Sequence, residues 1–140
     1  MNIQNFFLPC FILLLCSCNP AEEQHSNQSS ASTTSFAGQN PKEVVQAWQS
    51  LLDAYELEQA KSIASPEAQQ FLDLLASYGN GLPKDSLITT SEILNIECVE
   101  KQNQATCYTL IRDLTFKEIY RDTFDLILED NNWLITVRQE

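Results

Sequence analysis

The sequence predicts an α+β domain in which N-terminal helices pack on a curved antiparallel sheet. Three observations predict it. Apolar residues recur at helical spacing from Val44 to Leu75. From residue 86 the period changes to two. Two short polar steps, Gln102-Asn103 and Asp130-Asn131, each lie between alternating arms, as hairpin turns do.

The first helix opens at Asn40-Pro41-Lys42-Glu43, where Asn40 suits the N-cap, Pro41 the first helical position and Glu43 the return bond of a capping box. Val44, Val45, Trp48, Leu51, Leu52 and Tyr55 then form one apolar face. A second, short helix over 56–64 presents Leu57, Ala60 and Ile63. Ser65-Pro66-Glu67 repeats the start signal, and the third helix is expected to bury Ala68, Phe71, Leu72 and Leu75 before stopping at Gly79-Asn80-Gly81, with Pro83 beyond.

Ile93 to Val99 and Ala105 to Ile111 read as the arms of a first hairpin. A two-residue turn at Gln102-Asn103 pairs Lys101 with Gln104 and so sets Cys98 opposite Cys107. Counted out from the turn this is a non-hydrogen-bonded pair, whose Cα atoms approach to about 4.5 Å. A structural disulfide is the reading preferred over a redox-active or metal-binding pair, since no Cys-x-x-Cys occurs. In the second hairpin the turn Asp130-Asn131 sets Leu128 against Trp133, Leu126 against Ile135 and Phe124 against Val137, all on the core side. The same registers send Val99, Tyr108, Leu110, Ile127 and Leu134 to the outer face. That face is less polar than water normally sees on an antiparallel sheet. It is either a surface with scattered apolar residues or a place where a second copy or another protein docks.

Ahead of the domain, Phe6 to Leu15 is an apolar run too short for the roughly 20 residues that span a bilayer and right for a signal-peptide core. It ends in Leu15-Cys16-Ser17-Cys18, which resembles the lipobox of bacterial lipoproteins. The resemblance implies a diacylglycerol on the Cys18 sulfur and cleavage before it. Asn19-Pro20-Ala21-Glu22-Glu23 reads either as a solvated acidic start to a linker or as similar to the acidic export signal of surface lipoproteins in Bacteroidetes-type bacteria. Residues 19–39 hold few large apolar side chains and are expected to be a disordered polar tether. The expected organisation is a signal peptide at 1–17, the lipidated cysteine and tether at 18–39, and the α+β domain at 40–140. The expected address is the cell envelope, lipid-anchored at the outer membrane, with the leaflet open.

The chain of 140 residues carries 8 Lys+Arg against 19 Asp+Glu, a formal charge of −11, which argues against nucleic acid and against anionic headgroups. Of five cysteines, Cys10 and Cys16 belong to the signal and Cys18 to the lipid, leaving Cys98 and Cys107 in an oxidising compartment. The one histidine, His25, lies in the tether, so none serves a site in the domain. No Gly-rich phosphate loop, metal-ligand cluster or nucleophile–base arrangement is legible, and no cofactor is expected.

Pro41-Lys42-Glu43-Val44-Val45, the run Leu57 to Glu67, Ala105-Thr106-Cys107-Tyr108 and the run Leu126 to Ile135 together resemble the nuclear transport factor 2-like superfamily, which includes SnoaL-like and ketosteroid-isomerase-like proteins. More narrowly they are similar to small bacterial lipoproteins with lumazine-binding-like domains. The resemblance implies a cone of helices and concave sheet around a pocket, and dimerisation through the sheet. Three functions stay open. The domain binds a small apolar ligand, with Trp48, Tyr55, Phe71 and Trp133 as lining residues; it docks a partner or itself through Tyr108, Leu110, Ile127 and Leu134; or it is a histidine-free isomerase or cyclase. Binding without catalysis is the reading preferred.

Overall fold

The computed structural model describes residues 39–137. The signal segment, Cys18, the tether up to residue 38 and His25 lie outside the described residues. Helix α1 spans Pro41–Asp53, α2 Leu57–Ala60 continuing into a 3₁₀ turn at Lys61–Ile63, and α3 Pro66–Gly79. Strands β1 (Ser91–Lys101), β2 (Gln104–Asp113), β3 (Glu118–Glu129) and β4 (Asn132–Thr136) form one antiparallel meander in that order. The architecture is α+β, as the pattern predicts.

The helix starts follow from their caps. Asn40 Oδ1 accepts from the Glu43 amide at 3.0 Å while Glu43 Oε2 accepts from the Asn40 amide at 3.1 Å, closing the capping box. Ser65 caps α3: its hydroxyl accepts from the Ala68 amide, donates to Glu67 Oε2 at 2.9 Å and lies 3.2 Å from Thr136 Oγ1. The Ser65 amide donates to Ile135 O at 2.8 Å, and Ala64 forms a single parallel bridge with Ile135, so the start of α3 closes part of the outer edge of β4.

Helix α1 stops earlier than its apolar spacing suggests. Tyr55 is beyond the helix, at φ 53, and the bonds Tyr55 N–H to Leu52 O and Glu56 N–H to Leu51 O make a Schellman end. That left-handed position favours glycine. Tyrosine is held there by its ring, which lies against Gly79, and by its hydroxyl, which donates to Leu75 O at 3.1 Å. A Cβ on Gly79 would overlap the Tyr55 hydroxyl, so a glycine at the end of α3 is what lets the two helices close here.

The core is one cluster of Val44, Val45 and Trp48 from α1, Leu57, Ala60 and Ile63 from α2 and its 3₁₀ turn, Ala64 just after that turn, Ala68 and Leu72 from α3, and Ala105, Cys107, Leu126 and Ile135 from the sheet. Phe71 is a correction. Expected to be buried, it is 45 % exposed, as are Leu74 and Tyr78 to similar or greater degree. The inward stripe of α3 is Ala68, Leu72 and half-buried Leu75; Phe71 sits beside it, near the point where β4 ends, and among the described residues no strand covers it.

Both hairpin registers agree with those derived from the turns. Lys101 pairs with Gln104 and Cys98 with Cys107, at a Cα separation of 4.0 Å, and the disulfide is formed. In the second turn Asp130 and Asn131 both take positive φ, the conformation that matches strand twist in a two-residue loop. Leu128 pairs with Trp133 and Leu126 with Ile135. The third expected pair does not form: the ladder ends at Asp125–Thr136, and Val137 is exposed. A bulge between Ile93 and Asn95 shifts the β1 register.

Candidate functional site

The short β4 shapes the surface that follows. Because it ends at Thr136, the space between α1, α3 and the sheet opens there into a groove of about 370 Å³. Trp48 reaches it from the buried face of α1, Ala68 and Phe71 from α3, Phe124 from the inner face of β3, Ile135 from β4 and Val137 from just beyond the end of β4. Ala68 matters by being small, since a longer side chain at that position fills the floor. The volume is at the lower end of small-ligand sites. The walls are mainly apolar and aromatic, with Thr123 and Thr136 among them. Asp125, on the rim, accepts from Thr106 Oγ1 at 2.8 Å.

Of the four lining residues expected from the sequence, the structure brings Trp48 and Phe71 together in this groove. Tyr55 lies under Gly79 with its hydroxyl on the Leu75 carbonyl, and Trp133 packs half-buried beside Leu128 at the opposite end of β4. Ala68, Phe124, Ile135 and Val137, which read in sequence as ordinary core, complete the lining with Thr123, Asp125 and Thr136. What sets them apart is the mismatch in strand length, seen only in the structure, which leaves a core-facing position of β3 without a partner residue on β4.

On the outer face, Tyr108 is exposed while Leu110, Ile127 and Leu134 are half-buried. Ile127 stands between Gln104 and Leu134 in register, and such neighbours shield one another. Tyr108 and Leu110 share a shallow hollow of about 370 Å³ with Asn95, Glu97, Arg121 and Thr123. Ile127 borders a second hollow of about 560 Å³ with Glu67, Gln104 and Thr106.

The carboxylates are mostly in use. Asp53, at the end of α1, accepts from the Ser91 amide (2.8 Å) and hydroxyl (2.6 Å), the Thr89 hydroxyl (3.0 Å) and the Gln49 amide (3.1 Å), which ties the start of β1 to the helix. Partial burial, and after it the charges of Asp122, Asp113 and Asp53, push the Tyr120 phenol above its ordinary value and keep it protonated. Tyr120 is not among the groove's lining residues. Among the described residues no three His, Cys, Asp or Glu side chains are placed to hold a metal, and no helix is long and apolar enough to cross a membrane. What the groove offers is contact area for an apolar group.

No family model matches the chain, and no curated protein matches it. Two solved structures resemble it. One is a Campylobacter jejuni protein described as an NTF2-like transpeptidase, 12 % identical, with a TM-score of 0.46 over 71 % of this chain and 100 % of that one. The other is a de novo designed β-sheet protein, 18 % identical, with a TM-score of 0.33 over 69 % of this chain and 85 % of that one. The α+β arrangement itself stands on the sheet order and helix packing described above.

Proposed function

We propose that this chain is a lipid-anchored cell-envelope protein whose domain binds an apolar small molecule, without transforming it, in the groove between Trp48, Phe71 and Phe124. The groove is the observation that carries the reading: an apolar concavity of about 370 Å³ at the open end of a layered fold. The anchor rests on Leu15-Cys16-Ser17-Cys18 behind an apolar run. The test is titration of the full chain with the apolar dye N-phenyl-1-naphthylamine. Saturable binding is expected, weakened at least tenfold by Phe71→Asp, a change that half-exposed Phe71 tolerates without unfolding. Equal binding by the variant, or none by the parent, refutes it. For the anchor, envelope fractions should hold a form heavier by acyl chains, and Cys18→Ala should release the protein from the membrane.

A second reading has its own observation. Val99 and Tyr108 are large apolar side chains exposed on the outer sheet face, and Leu110, Ile127 and Leu134 extend that surface. A second copy or an envelope partner docked there would be weakened by Tyr108→Glu, which leaves dye binding unchanged.

A further inference from the structure

The unequal strand lengths leave a second feature beside the groove. Strand β3 runs from Glu118 to Glu129, but β4 pairs only with Asp125–Glu129, so residues 118–124 have β2 on one side and, among the described residues, no strand on the other. In an antiparallel ladder alternate residues turn their amide and carbonyl to opposite neighbours. Counted out from the Asp130-Asn131 turn, Ile127 and Asp125 bond β4, which turns Thr123, Arg121 and Ile119 to the open side. The Thr123 amide is occupied by Asp122 Oδ1 at 2.7 Å. The Arg121 and Ile119 amides face outward, on residues that are exposed.

Such an edge is a template for another strand, and proteins ordinarily blunt it. Here it is flanked by a hollow on each side. The apolar groove of Trp48, Phe71 and Phe124 adjoins it on the inner face, and the hollow of Tyr108, Leu110 and Glu97 on the outer. A strand laid along the edge sends alternate side chains to those two sides. Charge distinguishes the occupants. At this end of the sheet Arg112 is paired with Glu92 at 2.9 Å, Asp122, Glu118 and Asp113 stand against Arg121 and Lys117, and the whole chain carries −11. A second copy brings the same negative charge to the same edge, whereas a cationic chain is attracted.

We propose that the open edge of β3 and the groove beside it dock an extended cationic peptide with an apolar side chain at every second position, added to the sheet as a further strand. The inference rests on the groove being a binding site and names its ligand as the apolar side chains of such a peptide. Main-chain bonds to Ile119 and Arg121 supply affinity, and the groove selects the apolar positions.

The test is amide hydrogen exchange of the full chain with an eight-residue alternating Lys/Val peptide, with a Glu/Val peptide of the same pattern for comparison. The Lys/Val peptide is expected to slow exchange at Ile119 and Arg121 at least tenfold, and the Glu/Val peptide to do so weakly. N-methylation of either the lysine or the valine amides should abolish the effect, and methylation of the other set should leave it. Arg121→Pro should block the peptide while the naphthylamine dye still binds, because that amide faces away from β2. Four outcomes overturn the proposal: no protection at Ile119 and Arg121 although dye binds; equal effects of the two methylation patterns; protection without peptide that grows with protein concentration, which means a second copy; or protection without peptide at every concentration, which means the chain's own residues outside 39–137 take the edge. Protection by peptide without any dye binding leaves the strand in place and removes only the small-molecule reading.

Discussion

Opening the Cys98–Cys107 disulfide should cost this domain a large part of its stability, and the magnitude follows from where the bond sits. It closes a loop of sequence separation 9, for which the chain-entropy relation gives about 2.6 kcal/mol at 25 °C. Cys107 is fully buried in the core cluster and Cys98 packs against it, so the reduced sulfurs move apart to van der Waals contact but stay inside the core, and little packing is lost. The entropic contribution is therefore most of the effect. For a domain of this size it corresponds to a fall in Tm of about 10–20 °C. Urea unfolding of the full chain, followed by the fluorescence of Trp48 and Trp133, with and without reductant, measures it. The double variant Cys98→Ala/Cys107→Ala should fall close to the reduced protein. Cys107→Ser should fall lower by about 1–3 kcal/mol, because it buries a hydroxyl without a partner. A reduced protein within about 0.5 kcal/mol of the oxidised one, with both thiols confirmed free, would refute the reasoning. It would mean that the hairpin stays closed in the unfolded chain.

Three further changes probe the rest of the frame. Asp53→Ala removes the acceptor of the Ser91, Thr89 and Gln49 donors and should cost about 2 kcal/mol, with faster exchange of the Ser91 amide as its local signature; an unchanged Ser91 amide would contradict the anchoring role. Gly79→Ala should destabilise by about 1–3 kcal/mol, outweighing the gain in helix propensity, because the new methyl displaces the Tyr55 ring; Gly79→Ala in a Tyr55→Ala background should lose most of that penalty in the same urea assay. The Glu67 carboxyl is held below its ordinary value of 4.5 by its own backbone amide and the Ser65 hydroxyl. A depressed acid stabilises the fold above that ordinary value and loses the contribution as pH falls through the folded value, so Glu67→Gln should lower stability at pH 7, flatten the acid limb below about pH 4.5 and converge on the parent at low pH.

Much of the fold was legible because its determinants are local. Asn40-Pro41-Lys42-Glu43 and Ser65-Pro66-Glu67 carry their own caps, and two-residue turns at Gln102-Asn103 and Asp130-Asn131 fix every pair next to them, the cysteines included. What could not be read there depends on distant partners. Tyr55 follows the spacing of α1 but takes the left-handed position because Gly79, from another helix, makes room for its ring. Phe71 is as apolar as Leu72 next to it; its exposure is decided by how far β4 runs, and nothing in Thr136-Val137 announces that the ladder stops between them. Glu118 to Thr123 gave no strand signal because Ile119 and Tyr120 are adjacent apolar residues on opposite faces, both facing water, so burial never imposed a period of two. The groove and the open edge therefore have one cause. A strand of five residues lies beside one of twelve, and among the described residues the unmatched length leaves both an uncovered apolar wall and an unpaired backbone at the same end of the sheet. Lengthening β4 past Val137 by design would close both together, which ties any ligand of the groove to the state of that edge.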